Sequence, residues 1–391
     1  MPWLAKGVIE VREEFIKLAE QREISFTELC FRYSISTKTG YKWLKRYKDS
    51  GLSGLSDQSR TPKSQPAKTS GDIEQRVLGL RLKHSAWGGR KIRHWLINKG
   101  FECVPAASTI SDILRRNGLL NQELSQNNKA WKRFEHKAPN DLWQIDFKGH
   151  FPMSDGKRCH PLTIVDDHSR FSLAIQACLD EQAASTKEAL RNVLKQYGLP
   201  KRINFDNGSP WGSIFYSCRY TTFSLWLIDQ GIEVSYSRPR HPQTNGKNER
   251  FNRSLLNEVI ENKYIRDLLD AQTHFDEWRH IYNFERPHEG LHYQVPSDRY
   301  KPSYRSYNEQ VRQFKYGPEY MIKYTSVRGV VSLDGRQIFI GVPFAKKEIG
   351  LRQASKENPS LIELYYRHQR LGAIDLDQME KYTPVNLYSK L

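Results

Sequence analysis

Nowhere in the 391 residues is there a run approaching the ~18 uncharged apolar positions that mark a membrane-crossing helix. The opening Met1-Pro2-Trp3-Leu4-Ala5-Lys6 likewise lacks the apolar stretch of a signal peptide, so no membrane association and a cytoplasmic location are expected. Cysteine is scarce. The five (Cys30, Cys103, Cys159, Cys178 and Cys218) are scattered, odd in number and never spaced Cys-x-x-Cys, which excludes a disulfide framework or structural zinc site and predicts buried thiols. Acidic residues are also short, 44 against 61 Lys+Arg, leaving a net charge of +17. Residues 1–140 hold 26 basic and 14 acidic side chains, so most of the surplus lies in the first third and favours a polyanionic partner over an acidic small molecule.

What is present is enough for folded cores: 38% hydrophobic and 12% aromatic residues. The chain is too long for one ordinary core, and several domains are expected. Residues 8–48 read as three helices, with apolar faces at Val11, Phe15, Leu18 and Ala19, at Phe26, Leu29 and Cys30, and at Tyr41, Leu44 and Tyr47. Ser36 can cap the third, whose other face carries Lys38, Lys42, Lys45 and Arg46. This is a helix-turn-helix pattern; a solvated lysine face on a small bundle is the alternative, and the basic surplus favours double-stranded DNA. Residues 50–70 read as an extended basic linker with Arg60 and Lys63, either a tether or an arm for the minor groove. Helices at 73–83, 90–98 and 105–116 form a second helix-turn-helix unit with Arg115 and Arg116 on its last helix, and 121–138 is a second linker.

From Leu142 the pattern changes to strands at 142–147, 162–165 and 171–177, then helix 183–197, strand 203–205, helix 223–229, strand 232–235 and a helix opening at Gly246. Three strands followed by alternation mean a mixed α/β layer, extended by helices at 270–283 and 308–316. Short strands from 327 to 376 suggest a small β-barrel. The expected division is 1–49, linker 50–70, 71–120, linker 121–138, an α/β core at 139–318 and the barrel at 319–391.

Asp146 ends the first strand, Asp206 ends a parallel one and Glu249 stands on the first turn of the next helix. Sites of open α/β sheets lie beyond the carboxyl ends of their strands, where such residues can share a hard cation. Asp166 and Asp167 read as a hairpin turn instead. The blocks Trp143-Gln144-Ile145-Asp146-Phe147, Phe205-Asp206-Asn207-Gly208 and His241-Pro242-Gln243-Thr244-Asn245-Gly246-Lys247-Asn248-Glu249-Arg250-Phe251-Asn252 resemble the three catalytic blocks of the RNase H-like integrase core in DDE transposases of bacterial insertion sequences and in retroviral integrases. Arg286-Pro287-His288 is similar to the segment that closes this core. Two departures stand out: 42 residues separate Asp206 from Glu249, with the surplus placed in the loop 212–222, and Asn248 replaces a small or apolar residue.

The resemblance implies a polynucleotidyl transferase with Asp146, Asp206 and Glu249 as catalytic metal ligands. Two Mg²⁺ ions, replaceable by Mn²⁺, would serve DNA cleavage and strand transfer as in-line displacements. It also implies DNA recombination on element ends and target DNA by a dimer or tetramer acting on paired ends, in the bacterial nucleoid. Lys247 and Arg250 are expected on DNA phosphates; Arg253 is either a DNA contact or an ion-pair partner of Glu249. A DNA-binding regulator with an inactive core and an RNase H-type nuclease are the competing readings.

Overall fold

The computed structural model describes residues 7–58, 69–120, 135–206, 208, 210–212, 218–237, 246–311, 313–355, 357–379 and 384–388. It divides into two compact units, residues 1–68 and 69–391. The first holds α1 (Val8–Gln21), α2 (Phe26–Arg32) and α3 (Thr37–Ser50), with Ser25 and Ser36 accepting from backbone amides at the starts of α2 and α3. The buried faces differ in part from those expected. Phe15, Leu29 and Cys30 are interior as expected, but Ile16 and Trp43 join them while Val11 and Tyr41 are exposed. Gly40 is the reason: a Cβ there would fall 2.7 Å from Cys30 Sγ, so glycine lets α3 press its Gly40–Trp43 face onto α2 and turns Tyr41 outward. The expected linker also begins too early. Gly51–Leu55 form a 3₁₀ turn whose Leu55 completes this small core, and Arg12 grips the Leu55 carbonyl and Asp57.

The second unit opens with α4 (Gly71–Lys83), α5 (Gly89–Asn98) and α6 (Ala107–Arg116) around buried Trp87, Ile92, Leu96 and Ile110. These helices do not hang on a tether as expected. Arg90 pairs with Glu289 at 3.1 Å, His94 stacks on Tyr293 at 3.8 Å, and Ile281 packs into the helical cluster.

The sheet follows the order β4-β3-β1-β5-β6, from β1 (Leu142–Phe147), β3 (Arg158–Asp166), β4 (Ser172–Cys178), β5 (Arg202–Phe205) and β6 (Glu233–Tyr236). A two-residue β2 (Phe151–Pro152) pairs with the start of β3. β1, β3 and β4 are antiparallel; β5 and β6 run parallel to β1. Alternation assigns the faces. Trp143, Ile145, Leu162 and Ile164 point to α7 (Ala183–Tyr197) and α8 (Thr222–Asp229), while Val165 and Ile175 point to α9 (Gly246–Leu255) and α10 (Leu268–Phe284); a register shift between β3 and β4 at Ile164/Val165 breaks the alternation and lets Leu173, two residues before Ile175, join the first face. A π-helical turn, Leu256–Ile260, follows α9 directly.

The helix expected at 308–316 is not formed among the described residues. The chain instead runs as a strap over the core: Leu199 N–H donates to the Arg305 carbonyl, and the Tyr316 hydroxyl donates to the carbonyls of Glu348 and Tyr365. At the C-terminal end lie two sheets, β12-β11-β10-β7 and β13-β9-β8, built from β7 (Met321–Tyr324), β8 (Val330–Leu333), β9 (Arg336–Phe339), β10 (Glu348–Gln353), β11 (Leu361–Tyr366), β12 (Gln369–Asp375) and β13 (Pro384–Asn386). Their pairing does not describe a closed barrel, and their interior is continuous with the α7/α8 side of the core. The loop given the surplus residues explains part of that continuity. Cys218 Sγ donates to the Ile340 carbonyl, and Tyr220 meets Phe344 edge-on.

Candidate active site

Asp146 and Asp206 come together through strand register. Gln144 of β1 lies opposite Asn204 of β5 in a parallel pair, and each aspartate stands two residues further along its own chain. They therefore occupy neighbouring rungs at the carboxyl ends of two parallel strands. Asp146 shares the face of Gln144, towards α9, where Asn252 Nδ2 donates to Asp146 Oδ2 at 3.1 Å. The Asp146 carboxyl is pushed up to about 7, first by burial and then by the charge of Asp206; Glu181 adds a smaller push in the same direction. Loss of water and a like charge both penalise the anion, and a nearby cation would relieve both.

Glu249 is placed differently. It lies exposed on the first turn of α9, while the inward face of that helix carries Asn248, Phe251, Asn252 and Leu255. Among the described residues, no group of three or more His, Cys, Asp or Glu converges to hold a metal ion. The unexpected Asn248 has a local explanation: it is fully buried, and Thr163 donates to its Oδ1 at 3.4 Å and to Asn252 Oδ1 at 3.2 Å. Asn252, the last residue of the third block, was given no role by the sequence and is the neighbour that meets Asp146. Two amides one helical turn apart on a buried face were its signal.

The basic residues separate into groups. Lys38, Lys42 and Lys45 are exposed on α3, and Lys42 and Arg46 stand over the Trp43 ring at 4.4 and 5.0 Å. Arg115 and Arg116 are exposed on α6 but pair with Asp112 and Glu74. Arg250 and Arg253 are exposed on α9. Lys247, expected on a DNA phosphate, has its ammonium 2.6 Å from the buried Asp167 carboxylate. Arg60, Lys63 and His241–Asn245 lie outside the described residues. Asp166 makes the turn expected of it, accepting from the backbone and hydroxyl of Ser169. Four cysteines are buried as expected; Cys103 is exposed.

Models of the integrase core domain family match residues 136–242 and 230–296, the segments that carry these strands and α9. The chain carries an integrase core. A helix-turn-helix domain model matches 11–63 and a homeodomain-like one 39–114, so this integrase core follows DNA-binding-type helices. Similar proteins include the 31.7 kDa protein of insertion element IS407 from Burkholderia multivorans, 28% identical over 41% of this chain and 55% of that protein. The 39.2 kDa protein of insertion element IS476 from Xanthomonas euvesicatoria is 25% identical over 65% of this chain and 72% of its own length. The transposase for transposon Tn552 from Staphylococcus aureus is 25% identical over 66% and 59%. These relatives agree with a DDE transposase of an insertion sequence. The HTLV-2 integrase catalytic core domain in complex with magnesium overlays 41% of this chain and 97% of its own at 19% identity, with a TM-score of 0.32, too loose to carry anything over. No helix of the described residues is long and apolar enough to cross a membrane.

Proposed function

We propose that the protein is a DNA transposase that binds the ends of its mobile element, cleaves at the 3′ ends and joins them to target DNA. The observation that carries this reading is that Asp146 and Asp206 end adjacent parallel strands two residues beyond the paired Gln144 and Asn204, where burial and the nearby Asp206 charge raise the Asp146 carboxyl and a cation would favour its ionised form. All-oxygen donors suit Mg²⁺ or Mn²⁺, so the pair fits a divalent ion; Glu249, on the adjoining turn of α9, is the third carboxylate in this reading. Bound Mg²⁺ would supply charge for the entering and leaving oxygens of an in-line phosphoryl displacement.

The chain's own residues do the rest. Asn252 holds one oxygen of Asp146 and thereby fixes which way the other faces. Arg250, exposed one position from Glu249, is placed to hold a DNA phosphate. Lys38, Lys42, Lys45 and Arg46 on α3, and Arg115 and Arg116 on α6, are the proposed contacts to double-stranded element ends, with Arg60 and Lys63 between the two readers. Two ends must be joined to nearby target phosphates, so a dimer or tetramer is the proposed working form.

The test is joining of a labelled element-end oligonucleotide to plasmid in Mg²⁺. Asp146→Asn, Asp206→Asn and Glu249→Gln should each lower joining by about 10³-fold or more while end binding persists. Joining that continued in EDTA, or in the two aspartate variants, would sink the proposal.

A further inference from the structure

One carboxylate outside the proposed metal pair ties together three segments far apart in sequence. Asp167, 3% exposed, follows β3. Its Oδ1 accepts from Gln144 Nε2 at 2.9 Å, and its Oδ2 accepts from the His136 backbone N–H at 3.0 Å and faces Lys247 Nζ at 2.6 Å. Lys247 also donates to the Asp167 carbonyl at 3.1 Å. Each partner has a neighbour that matters. Gln144 precedes Asp146 by two residues on the same face of β1, and Lys247 precedes Glu249 by two on the first turn of α9. His136 belongs to the segment by which the chain, coming from α6, enters the core. That segment is anchored again by Glu135 to Arg299 at 2.8 Å and by His168 Nδ1 donating to the His136 carbonyl at 2.8 Å.

A buried ammonium–carboxylate pair adds little net stability over apolar side chains of similar volume, because desolvation offsets its attraction. What it does supply is orientation: breaking its geometry strands a charge away from water, so the groups it joins keep one arrangement. Resting on the reading of this core as a metal-dependent transposase, we propose that Asp167 is a positioning residue that fixes the Glu249 turn of α9, through Lys247, to the incoming segment Glu135–His136. A displacement of that segment then reaches the catalytic helix through a single side chain. No contact of Asp167 with DNA or metal is needed.

The experiment compares Asp167→Asn, Lys247→Met and the conservative Lys247→Arg in the full chain. Amide hydrogen exchange of Asp167→Asn and Lys247→Met should quicken in 246–255 and in 135–141 together, and Lys247→Arg should restore much of the protection. In the joining assay the first two should lose about 10- to 100-fold in rate and need more Mg²⁺ for half-maximal activity, with end affinity unchanged. The double variant should be no worse than either single one, since the pair acts as a unit. A merely structural role would lower the melting temperature without moving the Mg²⁺ midpoint. Should Lys247→Met fail to fold, the isosteric Asp167→Asn carries the same test. Wild-type exchange in 135–141 in a variant whose α9 exchange has quickened overturns the coupling, and unchanged exchange in both segments overturns the whole proposal. Failure of the wild-type protein to join DNA would instead count against the transposase reading, and the exchange result would still decide the role of Asp167.

Discussion

The two helical regions look interchangeable in sequence, yet they obtain their stability differently. Residues 7–58 close their own interior, with Leu55 returning as a lid over Phe15, Leu29 and Trp43. Residues 69–120 do not finish theirs alone: Ile281 of α10 packs into their cluster, Tyr293 receives His94, and Lys91 lies half-buried in the field of Arg286, Glu258 and Glu289. A three-helix pattern with a basic last helix therefore fixes local shape but says nothing of independence, which depends on where the remaining apolar surface goes.

Truncation gives the largest expected difference. Removing residues 1–68 should leave the main thermal transition near its place, whereas removing 1–120 uncovers Ile281 and Tyr293 and should lower it by upwards of about 5 °C in scanning calorimetry. Equal transitions in the two truncated proteins would erase the distinction. Next come the two interior tryptophans, each expected to cost ~3 to 5 kcal/mol on replacement by alanine. Trp43→Ala should shift only the transition of the first unit, while Trp87→Ala should pull down that of the integrase core. An unmoved core transition in Trp87→Ala would mean that the docking is thermodynamically idle.

A smaller effect follows from Lys91, whose amine is pushed down to about 8 chiefly by burial and then by Arg286. The folded state binds the proton less tightly than the unfolded chain does, so the penalty is full below pH 8 and fades as pH rises towards the unfolded value near 10.5. Lys91→Met should therefore raise the melting temperature at pH 7 by about 2 °C and gain almost nothing at pH 10; a gain that grew with pH would contradict this environment. The smallest effect is on DNA. Lys42→Ala should weaken end binding a few-fold and reduce the salt slope by about 1 if it meets a phosphate, and Arg115→Ala likewise on the second reader. A change in base preference with an unchanged slope would turn either residue into a base contact.

Much of the core was legible because its periodicities are strong. The strand Leu142–Phe147 and the helix Ala183–Tyr197 have the bounds read from alternation and helical spacing. What escaped notice depends on distant partners. The 308–316 segment is held by side chains rather than by helical bonds: Glu309 pairs with Lys195 of α7, and the Tyr316 hydroxyl donates to carbonyls of β10 and β11. The face of α3 that presses inward carries Gly40 and Trp43, leaving Tyr41 stacked on Phe26 at the surface. The contact of Lys247 with Asp167, eighty positions earlier, depends on how α9 docks and is invisible to local spacing. In the site, the two aspartates were readable from strand ends, whereas Asn252 needed the helix to be docked before its amide had a carboxylate to meet.

The continuity of the core with the C-terminal sheets has a consequence for synthesis. A ribosome delivers α7, α8 and the central strands well before Val331, Ile338 and Leu364, the side chains that cover them. Any polypeptide ending ahead of β8 presents that apolar face to water, a state prone to aggregation and to capture by chaperones and proteases. Frameshifts late in the reading frame should thus yield fragments that are cleared, not shortened proteins that accumulate in folded form.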